Sequence, residues 1–170
     1  MITIRQEDPH DIPAIAEVNR VAFGGETEAN LVGVIRASPG FLPGLSLVAM
    51  EDGRVIGHIL FSPICIRPEG PDIPALCLAP LAVLPEYQGR GIGTRLVGEG
   101  LARCRELGHA IVIVVGWPSF YPRFGFTPAR AKGLEAPFPV PDEAFRVLEL
   151  VPGALAGVKG MVCFPPVLCP

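Results

Sequence analysis

A strand, a glycine-rich loop, a helix and a second strand follow one another between residues 76 and 115, and this segment constrains the fold most. The apolar run Leu76–Val83 predicts a strand, and the β-branched run Ile111–Val115 predicts another that is covered on both faces. Between them, apolar residues recur at spacings of three and four from Gly91 to Leu107, which is typical of a helix. Because a helical crossover usually joins parallel neighbours, we expect the two strands to run parallel.

The rest of the chain predicts antiparallel strands and two further helices. Two of the strands flank Asp52-Gly53, a dipeptide that favours a hairpin turn. The predicted strands are Ile2–Arg5, Leu45–Met50, Val55–Ile66, Arg146–Val151 and Val158–Phe164, and the predicted helices are Asp11–Phe23 and Thr27–Ala37. The last two strands are joined through Pro152-Gly153. We therefore expect one α/β domain over residues 1–170, with a mixed, mostly antiparallel sheet, a central parallel βαβ unit and helices on both faces.

Charge, hydropathy and cysteine count exclude several classes of protein. The net charge is −3 without a Lys/Arg block, so a nucleic-acid surface is not expected. No apolar run reaches the roughly 18 residues of a membrane helix, and the start of the chain lacks a signal-peptide pattern, so we expect a cytoplasmic protein without a membrane partner. Five cysteines without a Cys-x-x-Cys pair, and only three histidines, favour neither a disulfide framework nor a metal site.

The loop between the Leu76–Val83 strand and the long helix has the features of a phosphate site. Glycines at positions 89, 91 and 93 remove side chains that would keep a ligand from the backbone. The first N–H groups of a helix have no intrahelical acceptor and lie at the positive end of its dipole. A phosphate can take those hydrogen bonds, and Arg90 and Arg95 can add charge. The alternative is an ordinary glycine-rich turn before a helix.

Two common nucleotide signatures do not fit this loop. The dinucleotide pattern Gly-x-Gly-x-x-Gly fails, since it reaches Thr94 when started at Gly89 and Leu96 when started at Gly91. A phosphate-binding Gly-Lys-Ser/Thr sequence does not occur. A nicotinamide-dependent oxidoreductase and a nucleotide hydrolase of that type are therefore not expected.

The loop instead resembles the Gln/Arg-x-x-Gly-x-Gly/Ala signature of the GNAT superfamily of acetyl-CoA-dependent N-acetyltransferases. Gln88, Gly91 and Gly93 occupy its fixed positions. The preceding Leu81–Tyr87 is similar to the family's strand and its approach to the pyrophosphate loop. Phe120–Phe126 is similar to the aromatic-x-x-aromatic-Gly-Phe ending that follows the next strand. The resemblance places the cofactor-binding core at residues 76–126.

This resemblance implies a GNAT fold, acetyl-CoA as co-substrate and transfer of the acetyl group to a primary amine by direct attack. In such proteins the pantetheine arm lies where the two central strands splay apart. The residues implied in cofactor binding are Leu81, Ala82, Val83, Gln88, Gly89, Arg90, Gly91, Ile92, Gly93 and Thr94, with Ser119 replacing the asparagine often found after the following strand. Members of the family have a β-bulge in the strand that corresponds to Leu76–Val83, and Ala79-Pro80 fits that bulge. Alternatively, Pro80 marks the start of this strand.

Tyr121 is the candidate catalytic acid, because the resemblance puts a tyrosine with this role five residues before the Phe of Gly-Phe. A positioned phenol can protonate a departing CoA thiolate. The alternative is a core aromatic residue. The general base is not evident, since Leu76–Val83 lacks the glutamate that many members carry. Glu26, Glu28 and His58 are candidates acting through water, but both glutamates are better explained as solvated surface residues.

The missing glutamate keeps a second interpretation open, a non-catalytic module that senses acyl-CoA or binds a protein partner. The resemblance implies a small-molecule or peptide amine as acceptor. It places acceptor selection near Gly24–Leu31 and Ala131–Glu143, whose mixed composition does not identify the amine. The oligomeric state is also open, a homodimer included.

Overall fold

The computed structural model describes residues 1–169, which form two compact units; Pro170, the last residue of the predicted domain, lies outside the described residues. The first unit consists of Met1–Ser62 and Ala79–Arg103. The second unit consists of Pro63–Leu78 and the chain from Cys104 onwards. Two strands and one helix contribute residues to both units.

Residues 1–169 contain nine strands and three α-helices. The strands are β1 Thr3–Gln6, β2 Ser46–Glu51, β3 Arg54–Arg67, β4 Ile73–Val83, β5 Ile111–Val115, β6 Thr127–Pro128, β7 Leu134–Glu135, β8 Phe145–Glu149 and β9 Gly160–Cys163. The helices are α1 Ile12–Phe23, α2 Thr27–Arg36 and α3 Ile92–Glu106. None of these helices has both the length and the apolar character needed to cross a membrane.

In the first unit, β1, β2 and the first part of β3 form an antiparallel series, and the last part of β4 follows beside β3. The predicted turn between β2 and β3 forms at Asp52 and Gly53, whose φ angles are 50° and 75°. Positive φ at both central residues suits the right-handed twist of a hairpin. The Asp-Gly prediction is therefore confirmed.

Helices cover both faces of the sheet in this first unit. Successive side chains of β3 point to opposite faces. His58 hydrogen-bonds Asn19 of α1, whereas a Cβ added at its neighbour Gly57 would lie 3.1 Å from Leu96 of α3. Phe61, on the same face as Gly57, packs so closely on α3 that Gly100 has no room for a side chain. α1 and α3 therefore pack on opposite faces of β3, as the sequence predicts.

In the second unit, β4 and β5 run parallel, which confirms the predicted βαβ unit. Their paired positions are Leu76 with Val112 and Cys77 with Ile113. Beyond these, β5 pairs along its whole length with the antiparallel strand β8, which also pairs with β6. The fold is thus mixed α/β with a mostly antiparallel sheet, as expected.

The two closing strands form, but they do not pair with each other. β8 joins β5 and β6, whereas β9 pairs antiparallel with the end of β3 and parallel with β7. Turns from Val151 to Gly157 separate them, so Pro152-Gly153 begins a longer connection rather than a tight hairpin. β4 begins at Ile73 and continues through Pro80, whose peptide bond with Ala79 is cis, so Pro80 is interior to the strand and does not start it.

Candidate functional site

A side-chain hydrogen bond fixes the glycine loop to the end of β4. The Nε2 atom of Gln88 donates to the carbonyl oxygen of Val83 at 2.9 Å. A short 3₁₀ turn, Pro85–Tyr87, bridges the two residues along the chain. The glutamine of the predicted signature therefore ties the start of the loop to the end of β4, although its side chain is exposed.

The loop presents a series of free backbone N–H groups. Gly89 and Gly91 both have φ of 78°, and a Cβ at either position would meet open space. The first helical bond on this side runs from the N–H of Arg95 to the carbonyl oxygen of Gly91. Across residues 1–169, no protein acceptor takes a hydrogen bond from the N–H groups of Gly89, Arg90, Gly91, Ile92, Gly93 and Thr94. These exposed donors at a helix N-terminus can hold an anion such as a pyrophosphate.

The two arginines near the loop, Arg90 and Arg95, differ in their contacts with the rest of the protein. Arg90 stacks over the ring of Tyr87, with its guanidinium carbon 5.1 Å from the ring centroid. Arg95 donates to the carbonyl oxygen of Ile2 at 3.1 Å and lies 3.7 Å from Glu99. Arg95 therefore ties α3 to the N-terminal segment, and Arg90 is the better placed of the two to meet an anion.

The strand segment before the loop alternates in burial. Ala82 is buried, while Leu81 and Val83 are half-buried. Alternation with a period of two places Leu81 and Val83 on one face of β4 and Ala82 on the other. Leu81 and Val83 can therefore contact the same neighbour, and Ala82 cannot.

Tyr121 lies in the second unit, at the start of a 3₁₀ turn that ends at Gly125. The Tyr121 side chain is 6% exposed and makes edge contacts with Phe120 and Phe126 at centroid distances of 5.0 and 5.7 Å. Phe124 makes an edge contact with Phe120 at a centroid distance of 5.3 Å. Burial, with a smaller effect from the nearby Cys77 thiol, raises the pKa of Tyr121 well above its ordinary value of 10.

The Tyr121 hydroxyl has no hydrogen-bond partner in the part of the chain that the structure describes, although the ring around it is packed. Its oxygen is not among the fully buried side-chain oxygens that lack a partner, which are Asn19 Oδ1 and Ser62 Oγ, so the hydroxyl lies where water or a ligand can reach it. This phenol stays protonated over the physiological pH range and keeps its donor free. A free, protonated hydroxyl is what the catalytic interpretation requires.

Gly116 allows the ring of Tyr121 to take this position. A Cβ at Gly116 would lie 2.6 Å from the Cε2 atom of Tyr121, a separation that real side chains do not tolerate. Gly116 directly follows β5, and its N–H is held by the carbonyl oxygen of Ala144. Sequence reasoning missed this residue, although a glycine at the end of a β-branched strand was the available signal.

Ser119 and Trp117 lie between Gly116 and Tyr121, and both are exposed, Trp117 by 78%. Cys77, on β4, is buried, and burial raises the pKa of its thiol to about 12. It is therefore a neutral thiol and a poor nucleophile at physiological pH. The structure thus places Tyr121 and Ser119 in the second unit, and the loop residues with Leu81–Val83 in the first.

His58, one of the candidate bases, is fully buried with both ring nitrogens engaged. Ser46 gives its hydroxyl proton to Glu7, so the Nε2 of His58, 3.0 Å from Ser46 Oγ, must donate to that oxygen. Nδ1 then accepts from Asn19 Nδ2 at 3.1 Å. This assigns a neutral tautomer, and burial lowers the pKa of His58 from 6.5 to about 3. His58 is therefore a structural residue and not a base.

The free energy of unfolding is expected to fall by roughly 1.4 kcal/mol per pH unit because of His58 as pH decreases from about 6 towards 4. The folded-state pKa lies below the unfolded value, so the unfolded chain binds the extra proton, and stability present above pH 6.5 is lost on acidification. Urea unfolding across this range measures the slope. His58→Gln should flatten it, whereas His10→Gln, at an exposed position, should not; equal slopes in all three proteins would contradict the assignment.

The two candidate glutamates lie in the segment that starts α2. Glu26 pairs with Arg20 Nε at 2.6 Å and is largely exposed, which fits the surface interpretation. Glu28, in the first turn of α2, is half-buried. Among residues 1–169 no cluster of three or more His, Cys, Asp or Glu side chains is arranged to hold a metal ion.

Comparison with known proteins identifies the family. The model of the acetyltransferase (GNAT) domain matches residues 3–129. The chain is 42% identical over 160 residues to the uncharacterized N-acetyltransferase YhbS of Escherichia coli, covering 94% of this chain and 93% of that protein. The chain belongs to the GNAT acetyltransferase family. It is therefore an acyltransferase, and the family predicted from Gln88, Gly91 and Gly93 is confirmed.

Further relatives of this GNAT chain support the same family assignment. The uncharacterized N-acetyltransferase YjhQ of E. coli is 43% identical over 143 residues, which are 83% of this chain and 78% of that protein. The crystal structure of E. coli YhbS in complex with CoA superposes with a TM-score of 0.90 at 39% identity, covering 98% of this chain and 91% of that one. A GNAT acetyltransferase from Brucella melitensis in complex with acetyl-CoA gives a TM-score of 0.80 at 34% identity, covering 98% and 97%.

Proposed function

We propose that this GNAT chain transfers the acetyl group of acetyl-CoA to a primary amine by direct attack. The observation that carries the proposal is the row of unpaired backbone N–H groups from Gly89 to Thr94, which fits a pyrophosphate. Two similar proteins have been crystallised with CoA and with acetyl-CoA, which supports the same ligand here.

The backbone of the loop is the proposed holder of the phosphates, and Gln88 keeps it in place. Gly89 and Gly91 leave space in front of their N–H groups, so an anion can approach within hydrogen-bond distance. Main-chain donors carry no net charge and cannot titrate, so this site would work across a wide pH range. The side chains of Leu81 and Val83, with Ser119, are proposed to contact the remainder of the cofactor.

Tyr121 is the proposed general acid. When the amine nitrogen attacks the thioester carbonyl, the C–S bond breaks and negative charge develops on sulfur. A protonated phenol with a free hydroxyl donates to that sulfur and finally supplies its proton. The attacking nitrogen loses one proton to water, and the phenolate takes one back from water, so the proton count closes. The raised pKa keeps Tyr121 in the donor form until this charge appears.

A covalent acetyl-enzyme is not part of the proposal. Cys77, the thiol near Tyr121, is buried, and its pKa of about 12 leaves almost no thiolate to accept an acetyl group. Direct attack requires the amine in its neutral form. Initial-rate patterns should therefore intersect, as in a ternary-complex mechanism, and parallel lines would contradict direct attack.

Calorimetric titration with acetyl-CoA, with NADH as the control ligand, tests the binding part of the proposal. We expect acetyl-CoA to bind below the millimolar range and NADH not to bind. A thiol-release assay with small amines, polyamines, amino acids and peptide N-termini tests turnover. Binding without turnover of any amine would favour the acyl-CoA sensor, and absence of binding would overturn both functions.

Gly116→Ala is expected to lower kcat by about 10–100-fold, because its Cβ would push the Tyr121 ring away from its position. The measurement is kcat with any accepted amine, together with Kd for acetyl-CoA. Gly98→Ala is the control, since a Cβ at this exposed position of α3 meets open space. A Gly116→Ala enzyme with unchanged kcat would show that the ring position does not matter for turnover.

A further inference from the structure

Two cysteines that are distant in the sequence lie opposite each other in the second unit. Cys65, near the end of β3, is the register partner of Cys163 in the antiparallel strand β9. Their neighbours Ile66 and Val162 are fully buried. Since successive side chains alternate between faces, the two cysteines share the face opposite to this core, and both are half-buried.

The geometry of this pair suits a disulfide. Opposed residues in antiparallel strands have Cα atoms roughly 4.5–5.5 Å apart, inside the ~4.4–6.8 Å that a disulfide spans. The Cys65 thiol lies 3.8 Å from Asp72 Oδ2, and the Cys163 thiol lies 3.9 Å from the carbonyl oxygen of Met161. Burial, with a smaller effect from Asp72, raises the pKa of the Cys65 thiol. The strand register therefore places the two cysteines at a backbone spacing that a disulfide can span.

We propose that Cys65 and Cys163 form a reversible oxidation site, in which a peroxide joins β3 to β9 through a disulfide. The other three cysteines do not have this arrangement. Cys77 and Cys104 are buried, and Cys169 lies in the C-terminal segment with its thiol against the carbonyl oxygen of Pro165. The proposal concerns a different part of the chain from the proposed acetyl transfer and does not depend on it.

The charges around the pair suggest the order of reaction. Asp72 Oδ2 lies 3.8 Å from Cys65 Sγ and opposes a thiolate there. Arg67 pairs with Asp72 at 3.5 Å and so helps to hold the carboxylate beside Cys65. The thiolate is the nucleophilic form of cysteine, and a nearby carboxylate disfavours it. Cys163 is therefore the thiol that attacks the oxidant.

The reaction balances with hydrogen peroxide as the only co-reactant. The Cys163 sulfur attacks one peroxide oxygen, the O–O bond breaks and water leaves, which gives a sulfenic acid. The Cys65 sulfur then attacks the Cys163 sulfur, the S–O bond breaks and a second water carries away the remaining proton. Two thiols lose two electrons in total, and one peroxide is reduced to two waters.

Oxidation should stabilise the attachment of β9, the last strand of the sheet. The disulfide would close a loop of roughly 100 residues, which restricts the unfolded chain and should raise the Tm by about 5–10 °C. Dithiothreitol should reverse the change.

The test is to treat the protein with hydrogen peroxide, alkylate it in denaturant and count free thiols by intact mass. The reduced protein should show all five cysteines free, and the oxidised protein two fewer with a mass loss of two hydrogens. Protease digestion should yield a single linked peptide pair that contains Cys65 and Cys163. Cys65→Ser and Cys163→Ser should each abolish the linked pair and the rise in Tm, whereas Cys169→Ser should behave like the unmodified chain.

Three results would overturn the proposal: five free thiols after oxidation, addition of oxygen in place of the loss of two hydrogens, or a linked peptide pair that contains another cysteine. Peptide mapping uses the unmodified chain, so it decides the matter even where a serine variant folds poorly.

Discussion

Tyr121→Phe is expected to lower kcat by about 10²–10⁴-fold while Kd for acetyl-CoA stays nearly unchanged. The hydroxyl has no protein partner within residues 1–169, so its removal breaks no internal hydrogen bond. It is needed most when charge builds on the departing sulfur, and an interaction made in the transition state appears in kcat rather than in ground-state binding.

The same variant separates the catalytic role from a packing role. The phenyl ring keeps its edge contacts with Phe120 and Phe126, so the Tm should move little. Tyr87→Phe, at the only other tyrosine, is the matched control and should leave kcat within about 2-fold, because its ring still stacks under Arg90. A Tyr121→Phe enzyme with wild-type kcat on every accepted amine would remove Tyr121 from the mechanism.

Gly91→Val is expected to weaken acetyl-CoA binding by about 100-fold or more, which is roughly 3 kcal/mol. The branched side chain would occupy the open space in front of the loop donors and disfavour the φ of 78° that directs them outward. Calorimetric titration of the variant measures the loss.

Gly53→Val is the matched control, because Gly53 has nearly the same positive φ angle as Gly91. Its φ is 75°, and a Cβ there also meets open space, but it lies in the β2–β3 turn. Both variants should lose comparable stability, about 1–3 kcal/mol, because a bulky residue is strained at such φ angles. Equal Kd values for acetyl-CoA in the two variants would show that the loop does not bind the cofactor.

Local patterns were sufficient to predict the elements that carry the proposed chemistry. The stripe of Ile92, Leu96 and Leu101 predicts α3, and the Asp52-Gly53 turn predicts the β2–β3 hairpin; both follow from contacts close in sequence. Positions 88–94 were assigned to the cofactor through the resemblance of Gln88, Gly91 and Gly93 to the family signature, because a glycine-rich turn before a helix does not by itself identify a ligand.

Contacts between distant segments were not predictable in this way. Nothing near Cys163 indicates that β9 pairs with the end of β3, since register between strands that are far apart depends on the whole sheet. The burial of His58 depends likewise on Ser46 and Asn19, which lie on other elements. Gly116 and Tyr121 are only a few residues apart in the sequence, but their contact depends on a turn whose backbone path the sequence does not specify.

The hydrogen bond from Gln88 to Val83 has a consequence for ligand selectivity. An amide is neutral at every pH, so the residue that shapes the loop neither attracts protons nor repels an incoming polyanion. A glutamate of the same size could not donate to the carbonyl of Val83 and would place a negative charge beside the row of N–H groups. A lysine could donate, but it would attract any small anion. On the proposed function, a neutral glutamine would leave selection to the shape of the N–H row, and a long, doubly charged ligand would be favoured over the simple anions of the solution.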